Sequence, residues 1–180
     1  MTASDSQPLR LGLLGAGLIA RQHLLALAKT PGIQAVGITS RTRAKAEALA
    51  AEFGLPHVAD SAEELVAAAR PDALLVLVSP EAMAPVAASC LELGLPLFLE
   101  KPVGLCVAEA ENIARLAEEK RVPNMVGYNR RHYSVFRKGL ARLRQHGRLL
   151  AVHIEGSERM AVARATGRFS ETTPYDPRSP

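Results

Sequence analysis

The chain has 180 residues, 48% of them apolar, with 22 Lys+Arg against 18 Asp+Glu and a formal net charge of +4. Such a composition excludes a disordered chain, and the lack of an apolar run of about 18 residues excludes a membrane-spanning helix. The length holds one full domain, or one and a piece of a second. Two cysteines, Cys90 and Cys106, suit neither a disulfide framework nor a zinc site. The polar start, with Asp5 ahead of Pro8, lacks the pattern of a secretory leader, so a cytoplasmic location is expected.

Short apolar runs then alternate with helical patterns. Leu9–Leu14 reads as a buried strand that ends at Gly15. Residues 18–29 are rich in Ala and Leu and stop at Thr30-Pro31-Gly32, as a helix would. Ile33–Thr39 is β-branched and alternating, a second strand, and 42–53 is a helix with Gly54 just past its end. His57–Ala59 is a short third strand, and Ser61 with Glu64 forms a capping box for a helix to about Ala69. The run 73–78 is apolar throughout, as a parallel strand covered on both faces must be. A helix over 81–93, a strand at Leu97–Leu99, a helix over Val107–Lys120 and a strand at Asn124–Val126 follow. Strands alternating with helices predict an α/β fold, a doubly wound parallel Rossmann sheet.

The pattern changes after Gly127. Tyr133, Phe136, Leu140 and Leu143 recur at helical spacing, and 150–154 reads as a strand. The expected organisation is a dinucleotide-binding domain at 1–127, followed at 128–180 by a linking helix and the first strand of an incomplete α+β domain.

The first loop reads Gly15-Ala16-Gly17-Leu18-Ile19-Ala20, a G-x-G-x-x-A between a strand and a helix. Gly15 permits a tight turn, Gly17 lets a pyrophosphate reach the backbone, and small Ala20 lets the helix approach the sheet. The helix start, with Leu18 and Ile19, then offers N–H groups to phosphates. The end of the second strand carries Ser40, Arg41, Thr42 and Arg43 where NAD-binding units usually place a carboxylate. A hydroxyl and two guanidiniums suit a 2′-phosphate, so NADP is expected in preference to NAD. The alternative is that Arg41 and Arg43 are solvated residues of a helix start.

The fifth strand ends Leu99-Glu100-Lys101-Pro102. Ligands of open α/β sheets bind outside the carboxyl ends of the strands. On position alone, an exposed strand-end lysine is the plainer reading of Lys101. Pro102 keeps Lys101 out of the α region, and Glu100 and Lys101 should point to opposite faces.

Several motifs together resemble the N-terminal half of the Gfo/Idh/MocA oxidoreductases. They are the glycine loop followed by His23, the strand 74–78 with Ser79-Pro80, the Glu100-Lys101-Pro102 triplet, and Val126-Gly127-Tyr128-Asn129-Arg130-Arg131. The resemblance implies that Lys101 is catalytic, assisting proton transfer and substrate orientation. It implies that Glu100 and the segment Val78, Ser79 and Pro80 line the nicotinamide pocket. Arg130 would either approach cofactor or substrate or be a surface arginine. His23 would lie near the phosphates, with a packing role the alternative.

The implied reaction transfers a hydride between NAD(P) and a carbinol or carbonyl carbon of a sugar, polyol or related small molecule. The family's Gly-rich segment bearing an Asp and a His is missing here, so an incomplete enzyme is expected. The alternative is a non-catalytic NAD(P)-binding or sensory module. A homo-oligomer would require the full second domain.

Charge is uneven: residues 1–119 hold 9 basic and 14 acidic residues, and residues 120–154 hold 9 basic and none acidic. Basic residues among aromatics can signal nucleic-acid binding. Here the aromatics sit at helical spacing, so they are expected in a core, the arginines on a solvated face, and no nucleic acid is expected. The small-molecule substrate is the expected partner, with no membrane. No histidine has a persuasive metal-ligand spacing, so no metal is expected.

Overall fold

Leu74, Leu75, Val76 and Leu77 are all buried, which neighbouring residues of a strand achieve only when both faces of their sheet are covered. The structure, a computed structural model, describes residues 7–148 and Ala151. It divides the chain into a unit of Met1–Tyr128 and a unit of Asn129–Pro180.

In the first unit the elements alternate strictly. They are β1 (Leu9–Leu14), α1 (Leu18–Leu27), β2 (Ile33–Thr39), α2 (Arg43–Phe53), β3 (His57–Ala59), α3 (Ala62–Ala69), β4 (Ala73–Val76), α4 (Pro80–Glu92), β5 (Leu97–Leu99), α5 (Val107–Lys120) and β6 (Asn124–Val126). All ladders are parallel, in the order β3-β2-β1-β4-β5-β6. This is the doubly wound Rossmann arrangement expected from the sequence. Leu14 pairs with Thr39 on one side and with Val76 on the other, and Val76 pairs with Leu99.

Alternation along the central strands sorts the core into two layers. Leu13, Ile38, Leu75 and Leu77 face Ala20 and Leu24 of α1 and Ala46 and Leu49 of α2. Leu14, Leu74, Val76 and Leu99 face Leu65 of α3, Met83 and Leu91 of α4, and Ile113 of α5. Each fully buried leucine contributes roughly 1.5–3 kcal/mol through removal from water.

Element ends depart from expectation where local hydrogen bonds compete. Helix α1 stops two residues early because Lys29 and Thr30 donate to the carbonyls three residues back, at 3.1 and 2.9 Å. Strand β4 ends at Val76, after which Leu77 N–H still reaches Leu14 O at 2.7 Å but Ser79 already serves as N-cap of α4. Ser61 caps α3 by accepting from Glu64 N–H at 3.1 Å. The return bond runs from Asp60 N–H to Glu64 Oε2 at 2.8 Å, one residue before the position a capping box prescribes.

The described part of the second unit holds a 3₁₀ turn at Asn129–His132 and α6 at Ser134–Arg144. The helix is where the periodicity predicted it, but among the described residues its apolar side is not buried. Tyr133, Phe136, Leu140 and Leu143 are each about half exposed, since no described residue covers them enough to bury them. The expected strand at 150–154 lies outside the described residues.

Candidate functional site

All six strands run the same way, so the loops that follow them share one edge of the sheet. β1 has β2 on one side and β4 on the other, so chain order reverses there and a crevice opens at the strand ends. Gly15 stands at that point with φ +109, and a Cβ on it would lie 2.8 Å from the carbonyl carbon of Leu77. Only glycine fits both the conformation and the approach.

Gly17 is different. Its backbone is extended (φ −88, ψ −175), and a Cβ there would meet no atom within 4 Å. It is the N-cap of α1, it supplies no side-chain cap, and the first turn contains no acid. The N–H groups of Leu18, Ile19 and Ala20 therefore end the helix without intrahelical partners, under a partial positive charge. Ala20 is fully buried, which seats the helix on the sheet. Leu18 and Ile19 expose 56% and 44% of their surface beside the loop. An open cradle with unpaired donors fits the diphosphate of a dinucleotide.

The end of β2 separates the two arginines expected to act together. Arg43 is held by Glu47 at 2.9 Å and by Asp60, and these acids, Asp60 foremost, raise the pKa of its guanidinium. Arg41 is exposed and has no hydrogen-bond or ion-pair partner among the described residues. Ser40 Oγ accepts from Thr42 N–H at 3.4 Å. Sequence reasoning missed Asp60 as a partner for Arg43, because it lies 17 residues away in the loop after β3.

On the other flank, Ser79 begins α4 with its hydroxyl uncommitted to capping, between half-buried Val78 and Pro80. Lys101 is exposed, and the Lys101-Pro102 peptide is cis. Glu100 is largely buried, its side chain 15% exposed. Its Oε1 lies 3.2 Å from His23 Nε2, and its Oε2 accepts from Lys101 N–H at 3.0 Å. His23 also packs edge-on against Phe98, with ring centroids 5.4 Å apart. So His23 both packs and bonds, a pairing across 77 residues that no periodicity announces. Gly15, Gly17, Val78, Ser79, Pro80, Glu100 and Lys101 thus share one sheet edge. Arg130 lies exposed in the 3₁₀ turn of the second unit.

Among the described residues no cluster of three or more His, Cys, Asp or Glu could hold a metal ion. No described helix is long and apolar enough to cross a membrane.

Residues 9–128 match the family model GFO_IDH_MocA, described as an oxidoreductase family with an NAD-binding Rossmann fold. The chain is 30% identical over 123 residues to 4-carboxy-2-hydroxymuconate-6-semialdehyde dehydrogenase of Sphingobium sp., covering 68% of this chain and 39% of that protein. It is 28% identical over 134 residues to inositol 2-dehydrogenase of Rhizobium meliloti, covering 73% of this chain and 40% of the relative. A crystal structure of a Gfo/Idh/MocA family oxidoreductase from Vibrio cholerae superposes with a TM-score of 0.68 at 30% identity, covering 76% of this chain and 44% of that one. The chain spans about two-fifths of the length of the curated relatives it matches.

Proposed function

Because the chain belongs to the Gfo/Idh/MocA oxidoreductase family and contains its NAD-binding Rossmann domain, we propose that it serves hydride transfer between a nicotinamide dinucleotide and a carbinol or carbonyl carbon of a sugar, polyol or related small molecule. The observation that carries this reading is the open cradle at Gly17 on the same sheet edge as Lys101.

The diphosphate is held over Gly17 by the N–H groups of Leu18, Ile19 and Ala20. Ser40 and Arg41 receive the 2′-phosphate of NADP, with Arg41 the stronger contributor because Arg43 is already paired. Val78, Ser79, Pro80 and Glu100 flank the nicotinamide, and the ring supplies the two-electron acceptor or donor when bound. Lys101 handles the proton. In oxidation, its neutral amine takes the hydroxyl proton of the substrate as the carbinol C–H bond gives up its hydride and the carbonyl forms. In reduction, the ammonium returns that proton to the carbonyl oxygen. The sugar or polyol class is supported by relatives such as inositol 2-dehydrogenase.

The test is titration of the chain with NADPH and NADH, read by coenzyme fluorescence. Both should bind, NADPH more tightly, and Arg41→Ala should abolish the difference. Failure of either coenzyme to bind would overturn the proposal. Equal affinities unchanged by Arg41→Ala would overturn the preference for NADP.

A further inference from the structure

Glu100 and Lys101 are adjacent, oppositely charged, and at the edge where chemistry is proposed. Alternation at the strand end starts the two side chains toward opposite faces, but the long lysine stem can fold back, and a carboxylate attracts an ammonium within reach. In this structure they do not close. Both oxygens of Glu100 are already engaged, Oε1 by His23 Nε2 and Oε2 by the backbone N–H of Lys101. The Lys101 ammonium has no ion-pair or hydrogen-bond partner among the described residues.

What holds this arrangement is the placement of His23. It sits on α1, the helix whose start forms the phosphate cradle, and Phe98 of β5 fixes its ring edge-on. Gly127 closes the space from the third side. A Cβ there would lie 2.8 Å from Phe98 Cζ and 3.4 Å from Glu100 Oε1. The carboxylate is therefore boxed among α1, β5 and the end of β6.

We infer that His23 is a positioning residue: it holds Glu100 through Nε2, keeps that carboxylate off the Lys101 ammonium, and so leaves Lys101 free to exchange a proton with substrate. The inference rests on the reading of Lys101 given above, but its geometry and its test need no coenzyme. An amine tied to a carboxylate stays protonated and reacts slowly with an acylating reagent, and about one unit of added charge stabilisation slows it about tenfold.

The experiment is trace acetylation of the full chain with acetic anhydride, with mass spectrometry comparing Lys101 to Lys29 and Lys45 as internal standards. In His23→Leu, Glu100 is released and Lys101 should acetylate about tenfold more slowly. Adding Glu100→Gln to that variant should restore the rate to within about twofold, which a merely structural role for His23 would not produce. His23→Gln, which can still donate to Glu100, should keep most of the native rate.

Glu100→Gln alone is nearly isosteric and guards against a misfolded His23→Leu. It should leave the native rate unchanged, because Glu100 is not paired with the Lys101 amine to begin with. A tenfold rise in that variant would overturn the inference, as would an unchanged rate in folded His23→Leu. NADH titration of the same samples reports the underlying reading separately. Loss of NADH binding by the native chain overturns that reading, whereas unaltered Lys101 reactivity in an NADH-binding His23→Leu overturns the positioning role.

Discussion

Replacing Gly17 by alanine should separate binding from folding. The backbone at Gly17 is extended, and the added methyl meets no atom of the chain. Two small effects on stability then oppose each other. The unfolded chain loses freedom, worth about 0.4–1 kcal/mol in favour of folding. The helix loses a glycine N-cap for a poorer alanine one, at a cost of up to about 1 kcal/mol. They nearly cancel, so the melting temperature should stay within about 2–4 °C of the parent. The same methyl adds bulk at the glycine over which the diphosphate is proposed to approach the backbone. Dinucleotide affinity should fall at least about tenfold, or about 1.4 kcal/mol.

Gly15→Ala gives the opposite result. Forcing φ +109 on alanine costs about 1–3 kcal/mol. The Cβ contact with Leu77 adds to that, removing much of a typical total of about 5–15 kcal/mol. Thermal unfolding by circular dichroism and NADH fluorescence titration, run on both variants, read the two quantities. Undiminished NADH binding by Gly17→Ala would refute the placement of the diphosphate. A parental melting temperature for Gly15→Ala would refute the loop geometry.

Other outcomes follow from the same geometry. Arg41→Ala should weaken NADPH at least about tenfold and leave NADH unchanged, while Arg43→Ala should weaken NADPH less, because Asp60 and Glu47 already engage that guanidinium. Affinities measured side by side check the ranking. Ser61→Ala removes the cap on Glu64 N–H and should cost about 1 kcal/mol, seen as a lowered urea midpoint with unchanged m-value. Cys90 is fully buried in α4, and burial foremost pushes its thiol from 9.0 up to about 12. A pKa raised by folding contributes stability that is complete below the unfolded thiol's value and is lost as pH rises from about 9 to about 12. The urea midpoint should fall over that window, and less steeply in Cys90→Ala. Iodoacetamide at pH 8 should label half-buried Cys106 in the folded chain and Cys90 only after unfolding.

What could be read from the sequence was local or periodic. The glycine loop, the apolar run at β4 and the punctuation at Gly54 each act within a few residues, so the alternation of strands and helices followed. The candidate site was legible to the same extent: Gly15, Gly17 and Lys101 lie just past the ends of β1 and β5, as their motifs suggested. What was not legible depends on contacts across the fold. The Arg43–Asp60 pair, the His23–Glu100 bond and the bulge between Leu11 and Gly12 arise only once the sheet brings distant segments together. The α6 face shows the converse. Its periodicity correctly announced a helix, but a period cannot say whether anything covers the apolar side.

The reversal of chain order between β1 and β4 also governs how the molecule assembles. The cradle exists only when residues 11–14 have paired with 73–76, a contact closed over some 60 residues of chain. No local hairpin can pre-form it, and such long closures slow folding. The centre of the sheet and the mouth of the site therefore come into being together. A dinucleotide that binds the finished cradle selects for the whole parallel sheet, and at a hundred times its Kd it would add about 2.7 kcal/mol to global stability. A ligand bound there would thus stabilise the sheet and the candidate site as one unit.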